Sequence, residues 1–152
     1  MQQRDLVRDF YLLRVAAHED LAAVDAVAER SRQLAGTTVF HEGDRADAMY
    51  LVAHGTVEVL KADNETAIAT LGTGDEFGEV AFFHDGRRSA TVRTREPTEL
   101  IKVSYTRLRD VLAQRPTLAL LLYRNGCTFL AKRLRQTTTD VSFARELNRR
   151  HL

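Results

Sequence analysis

Apolar residues recur at helical spacing from Leu6 to Arg30, at Leu6, Phe10, Leu13 and Ala17 and again at Leu21, Val24, Val27 and Ala28, with His18, Glu19 and Asp20 interrupting the run. This pattern predicts two short helices over about residues 5–31. From Gln33 to Val103 the texture changes to short runs rich in Val, Ile, Thr and Phe, punctuated by Gly36, Gly43, Gly55, Gly72, Gly74, Gly78 and Gly86. TTVFH (37–41), AMYLVA (48–53), TVEVLKA (56–62), TAIATL (66–71), SATVRT (89–94) and ELIKVS (99–104) each fit a strand. Their close spacing, with turn residues between them, predicts an antiparallel sandwich or barrel over about 33–103. Beyond Val103 helical periodicity returns. Ser104 or Thr106 suits the N-cap of a helix ending near Gln114, and Pro116 suits the first position of a longer one reaching about Gln136. A third helix is expected from about Asp140 towards Arg149. No repeat, low-complexity tract or linker divides the chain, so residues 1–152 are expected to form one domain.

Composition narrows the function classes. The 22 Lys and Arg stand against 21 Asp and Glu, a net charge of +1, so no global attraction to nucleic acid or anionic lipid is built in. Residues 124–152 do hold seven Lys or Arg against Asp140 and Glu146, which reads first as a solvated helix surface. Apolar runs fall far short of the ~20 residues that cross a bilayer, and the charged N-terminus does not read as a signal peptide. A cytoplasmic protein without membrane attachment is expected. The single cysteine, Cys127, has no partner for a disulfide or a zinc site and reads as a small buried hydrophobe. Leu118, Leu121, Leu122 and Leu134 suit either core or a dimer seam, whereas Tyr123 and Phe129 suit packing against the sheets.

The chemistry concentrates in Phe77-Gly78-Glu79-Val80-Ala81-Phe82-Phe83-His84-Asp85-Gly86-Arg87-Arg88-Ser89-Ala90-Thr91-Val92. A glycine before a short helix-capable segment presents backbone N–H groups to an anion. Arg88 supplies a fork of donors suited to two phosphate oxygens. Glu79 is unsuited to a phosphate but can accept a hydrogen bond from a sugar hydroxyl. Phosphate and sugar in one pocket describe a nucleotide.

Phe77 to Ala81, followed after a short turn by Arg88 to Ala90, resembles the phosphate-binding cassette of the cyclic-nucleotide-binding domain family, F-G-E-[LIV]-A then R-[AST]-A. The stretches Gly36 to Asp44, Met49 to Val52 and Gly55 to Val59 resemble that family's first strands and glycine turns, and the likeness spans about Leu12 to Val141. It implies an α+β fold, an antiparallel β-barrel (jelly roll, double-stranded β-helix) flanked by N-terminal and C-terminal helices. It also implies that Glu79 binds the ribose 2′-OH and Arg88 the cyclic phosphate, with Gly78 and the amides of Val80 and Ala81 assisting and Ser89 adding a hydroxyl. Arg87 departs from the commonest cassette, in which proline precedes the phosphate arginine, and should point outward. Lys132 to Thr138 resembles the end of the C-helix in catabolite-activator-type members, which implies base contacts by Thr137 and Thr138 and a homodimer through that helix. Cyclic AMP is the implied ligand, with cyclic GMP as the alternative, and no metal.

The residues after Asp140 are too few for the winged-helix DNA-binding domain of related transcription factors. A stand-alone receptor that binds no nucleic acid, acts through an unknown downstream protein and catalyses no reaction is therefore expected. The alternatives are a ligand-orphan interaction module of the same fold and a sensor fragment of a larger regulator.

Overall fold

The computed structural model describes residues 6–61, 67–84 and 86–150, with side chains up to 136. Eight strands run in the order β1 (Ala28–Gln33), β2 (Thr38–Phe40), β3 (Ala48–His54), β4 (Thr56–Leu60), β5 (Ala69–Gly72), β6 (Glu76–Phe77), β7 (Thr91–Thr94) and β8 (Thr98–Ser104). The helices are α1 (His18–Asp25), α2 (Tyr105–Ala113) and α3 (Pro116–Arg150), and single 3₁₀ turns occupy Tyr11–Leu13 and Val80–Phe83. The strands form two four-stranded antiparallel sheets, β1-β8-β3-β6 and β2-β7-β4-β5. The expected barrel is thus corrected to two facing sheets that do not close, an α+β arrangement consistent with a jelly roll. The edge strands β1 and β2 belong to different sheets, and the barrel is left open there.

The first sheet separates two cores. Met49 and Leu51 of β3 and Ile101 and Val103 of β8 turn towards the helices, joining Phe10, Leu12, Leu13, Val24, Phe82, Leu108, Leu118 and Leu122. Ala48, Tyr50 and Val52 of β3 and Leu100 of β8 turn the other way, onto Val57 and Val92 of the second sheet. β3 is covered on both faces, which explains its continuous apolar run where a half-buried strand would alternate. Each fully buried leucine or phenylalanine contributes about 1.5–3 kcal/mol.

At the N-terminus the predicted helices are largely replaced. The first is only the 3₁₀ turn, the second ends at Asp25, and residues 28–33 form β1, paired residue by residue with β8 from Ala28↔Val103 to Gln33↔Thr98. AERSRQ has no apolar alternation, so only the ladder to β8 reveals it as a strand, and its polar side chains suit a sheet edge. The Asp25 carboxylate accepts the Val7 N–H at 2.9 Å and ties the preceding segment to the end of α1. At the other end Ser104 caps α2, its hydroxyl accepting the Arg107 N–H at 3.4 Å. The stop predicted near Gln136 is absent, and α3 continues unbroken to Arg150. Gln136 to Asp140 contains capping residue types but no glycine or proline, and threonine lowers helix propensity by only about 0.7 kcal/mol or less.

Candidate functional site

β6 ends at Phe77, whose buried ring stacks on Tyr50 with centroids 5.1 Å apart and planes 9° from parallel. The chain then turns through Gly78 at φ +80°, a left-handed conformation that favours glycine. A Cβ here would stand 2.7 Å from Arg88 Nη1 and 3.2 Å from the Ala48 carbonyl oxygen, so glycine is needed for space as well as for backbone. Glu79 follows, then the 3₁₀ turn Val80–Phe83, in which Ala81 and Phe82 are buried and whose first N–H groups lack partners within the turn.

On the return the register is fixed by the loop before β3. The Arg88 N–H donates to Asp44 O and the Gly43 N–H donates to Arg88 O, both at 2.8 Å. Arg88 therefore points inward and Arg87 outward, where its guanidinium donates to Gly43 O at 3.1 Å. The Arg88 guanidinium is buried, 4.0 Å from the Phe40 ring centroid and about 6 Å from Tyr50 and Tyr105. Its Nη2 donates to Ala48 O at 2.5 Å and its Nη1 to Gly78 O at 3.3 Å. Gly78 O also accepts the Tyr105 hydroxyl, and burial pushes the Tyr105 pKa up to about 12, so the phenol remains a donor.

Glu79 is only 3% exposed. Burial raises its pKa, an effect partly offset by its own backbone amide and by the Arg133 and Arg88 guanidiniums. Arg133 of α3 reaches within 3.8 Å of Oε1. Glu79 Oε2 and Arg88 Nε are both buried without a hydrogen-bond partner among the described residues. One is an acceptor needing a donor and the other a donor needing an acceptor, a pair that a molecule carrying both a hydroxyl and an anionic oxygen can satisfy.

The structure thus brings Gly78, Glu79, Val80, Ala81 and Arg88 together. Ser89 is exposed, and its carbonyl accepts the Lys61 ammonium. Thr137 and Thr138 lie in the backbone of α3, but their side chains are outside the described residues. Sequence reasoning missed Phe40, Tyr50 and Tyr105, which cage Arg88, and the approach of Arg133 to Glu79. Nothing local marks them, because they converge only through the sheet pairing.

The cassette also packs on α3. Phe83 lies edge-on to Tyr123, with centroids 6.1 Å apart, while Phe82 stacks on the same ring. A Cβ on Gly126 would stand 2.4 Å from the Phe83 ring, so this mid-helix glycine makes a slot for it. Phe129 packs on Tyr11, whose N–H points at both oxygens of Glu76 at 3.1 and 3.2 Å. Burial, and secondarily the Glu79 carboxylate, raise Glu76 to a pKa of about 7. Cys127 is exposed, which corrects its reading as a buried hydrophobe. No helix among the described residues is long and apolar enough to cross a membrane.

The fold and this site define a small-ligand receptor module, and comparison with known proteins agrees. The model of the cyclic nucleotide-binding domain matches residues 32–115. The cAMP-activated global transcriptional regulator CRP of Haemophilus influenzae is 31% identical over 144 residues, 92% of this chain and 57% of that protein. The chain thus spans about half the length of the curated relatives it matches. Among solved structures, the N-terminal domain of a transcriptional regulator from Streptomyces coelicolor superposes with a TM-score of 0.74 at 29% identity, covering 90% of this chain and 95% of that one. The catabolite activator protein of Thermus thermophilus also gives 0.74, at 28% identity, covering 88% of this chain and 62% of that one. The chain belongs to the cyclic nucleotide-binding domain family.

Proposed function

We propose that this chain is a cyclic AMP receptor domain whose ligand state is passed on through α3. The observation that carries this reading is the complementary pair of buried orphans, Arg88 Nε and Glu79 Oε2. An equatorial phosphate oxygen answers the first and the ribose 2′-OH the second. Gly78 allows the close approach, the amides of Val80 and Ala81 face the phosphate side, and Ser89 supplies a hydroxyl. The choice of adenine rests on Thr137 and Thr138 as base contacts and on the cAMP-activated relatives.

The output surface is a second copy of the chain. Leu120, Tyr123 and Leu134 are exposed large hydrophobics on α3, and exposed Cys127 lies between them at spacings of three, four and seven residues. A stripe of this period is a two-helix seam.

Calorimetric titration with cyclic AMP, cyclic GMP and 5′-AMP tests the ligand. Cyclic AMP should bind most tightly and 5′-AMP least, and no heat from either cyclic nucleotide overturns the reading. Sedimentation equilibrium tests the seam, with a dimer expected for the chain and monomers for Leu134→Glu.

A further inference from the structure

A cavity of about 310 Å³, which shares only Tyr50 with the surroundings of Arg88, opens where the two sheets part, between the edge strands β1 and β2. Its wall from the first sheet is built on two rows of strand partners: Glu29, Lys102 and Tyr50 in one, and Ser31 and Leu100 in the next. Leu100, Tyr50 and Val52 belong to the core between the sheets. Lys102, two residues beyond Leu100, therefore projects to the same side of β8. Thr38 and Val39 of β2 form the facing wall.

Most charges around this cavity are already used. Arg30 pairs with Glu99 at 2.7 Å, Glu29 lies 3.6 Å from Arg107, and the Gln33 amide donates to Ser31 Oγ at 3.2 Å. The Lys102 ammonium and the Tyr50 hydroxyl have no described hydrogen bond or ion pair. Both are donors and one is a cation, above a floor of Leu100 and Val39. An edge strand commonly carries inward charges merely to discourage strand addition. That role is already filled here by Glu29, and it does not call for a cavity lined by apolar side chains and a phenol.

We infer that this cavity is a second ligand site, built for a small organic carboxylate with an apolar body. The carboxylate lies between Lys102 and the Tyr50 hydroxyl, and the body rests on Leu100 and Val39. Inorganic anions are disfavoured, since they would leave the apolar floor uncovered. The volume suits a ligand at the small end of the usual range of about 300–1,000 Å³.

Benzoate is the probe, titrated into the full chain carrying ¹³C-labelled leucine and valine methyls. Saturable shifts are expected at Leu100 and Val39, and they should persist in Arg88→Leu, because the anion does not sit in the cassette. Benzamide has the same shape without the charge and should bind roughly tenfold or more weakly. Lys102→Met should weaken benzoate by a similar factor while methyl dispersion reports an intact fold. Tyr50→Phe, which keeps the ring stacked on Phe77, should weaken it by a smaller factor and decides the matter if Lys102→Met does not fold. The inference is overturned by unmoved Leu100 and Val39 methyls, by equal binding of benzamide, by shifts that disappear in Arg88→Leu, or by full affinity in the folded variants.

Discussion

Arg88→Leu is the sharpest perturbation of the proposed nucleotide site, because its effects on binding and on folding separate. Arg88 is 5% exposed, so a phosphate bound to it would be largely desolvated and each charge-assisted hydrogen bond would count for more than at the surface. Losing the guanidinium should cost about 2–4 kcal/mol of cyclic AMP binding, roughly thirtyfold to nearly a thousandfold in affinity. The effect on folding is smaller for identifiable reasons. The variant loses the bonds to Ala48 O and Gly78 O, but Gly78 O keeps the Tyr105 hydroxyl. The desolvation penalty of a buried cation disappears with the cation, and leucine still packs on Phe40, so the net loss of stability is about 1–2 kcal/mol. Arg87→Leu is the matched control, since it gives up only an exposed bond to Gly43 O and should leave affinity within about twofold. Calorimetric titration of all three proteins, with denaturant midpoints measured on the same samples, separates the two effects. A folded Arg88→Leu that binds normally refutes the assignment, and a damaging Arg87→Leu would mean that the register through the turn is wrong by one residue.

Glu79→Gln should weaken cyclic AMP by about 1–3 kcal/mol and its 2′-deoxy analogue much less, because trading the charged acceptor for a neutral amide matters only where a hydroxyl donates to it. Equal losses for both ligands, measured by calorimetry, would show that Glu79 orders the pocket without touching ribose. Burial pushes the Glu76 carboxyl from its ordinary 4.5 up to about 7, so the folded state binds more protons between those values. Its contribution to stability is fully present below the lower value and is lost as pH rises through about 7, a span worth at most about 3 kcal/mol. Denaturant midpoints should therefore rise as pH falls from about 8 to 5, and Glu76→Gln, which keeps an acceptor for the Tyr11 N–H, should flatten that slope. Gly126→Ala should destabilise the chain even though alanine is favoured by about 1 kcal/mol in a helix interior, and adding Phe83→Leu should recover part of the loss. A Gly126→Ala protein as stable as the parent would show that the slot is not filled.

The cassette was legible because its chemistry is local: Gly78, Glu79 and Arg88 lie within eleven residues, and their types follow from what a phosphate and a sugar need. The long, doubly buried β3 was legible for a similar reason, since an apolar run of that length has few other fates. β1 was not, because AERSRQ carries no burial pattern of its own and becomes a strand only when β8 offers its edge. The continuous α3 was obscured by Thr137 to Asp140, whose side chains are good caps but whose backbone has no reason to turn. Tyr105 and Phe40 were invisible as site residues, being 17 and 48 positions from Arg88 and brought to it only by the pairing of the sheets.

The route by which the proposed signal leaves the site follows from which faces of α3 are occupied. Phe83 enters the slot at Gly126, Tyr11 packs on Phe129, and Glu79 approaches Arg133. Positions 126, 129 and 133 are three and four apart and share one face of the helix. Leu120, Cys127 and Leu134 fall about a third of a turn round at ~100° per residue, on an exposed face, and Tyr123, which packs on Phe82 and Phe83, lies at the border between the two. The cassette therefore holds α3 from one side while the seam projects on another, with only the width of a helix between them. A helix resists bending but rolls and slides readily on a packed surface, by ~1–2 Å in interfacial helix shifts. If ribose takes the Glu79 carboxylate, Arg133 loses its approach to it, and if phosphate draws in Val80–Phe83, the Phe83 ring must either leave its slot or carry Gly126 with it. On the proposed reading, either displacement of the cassette would turn the stripe, and a partner across the seam would read the angle of the helix.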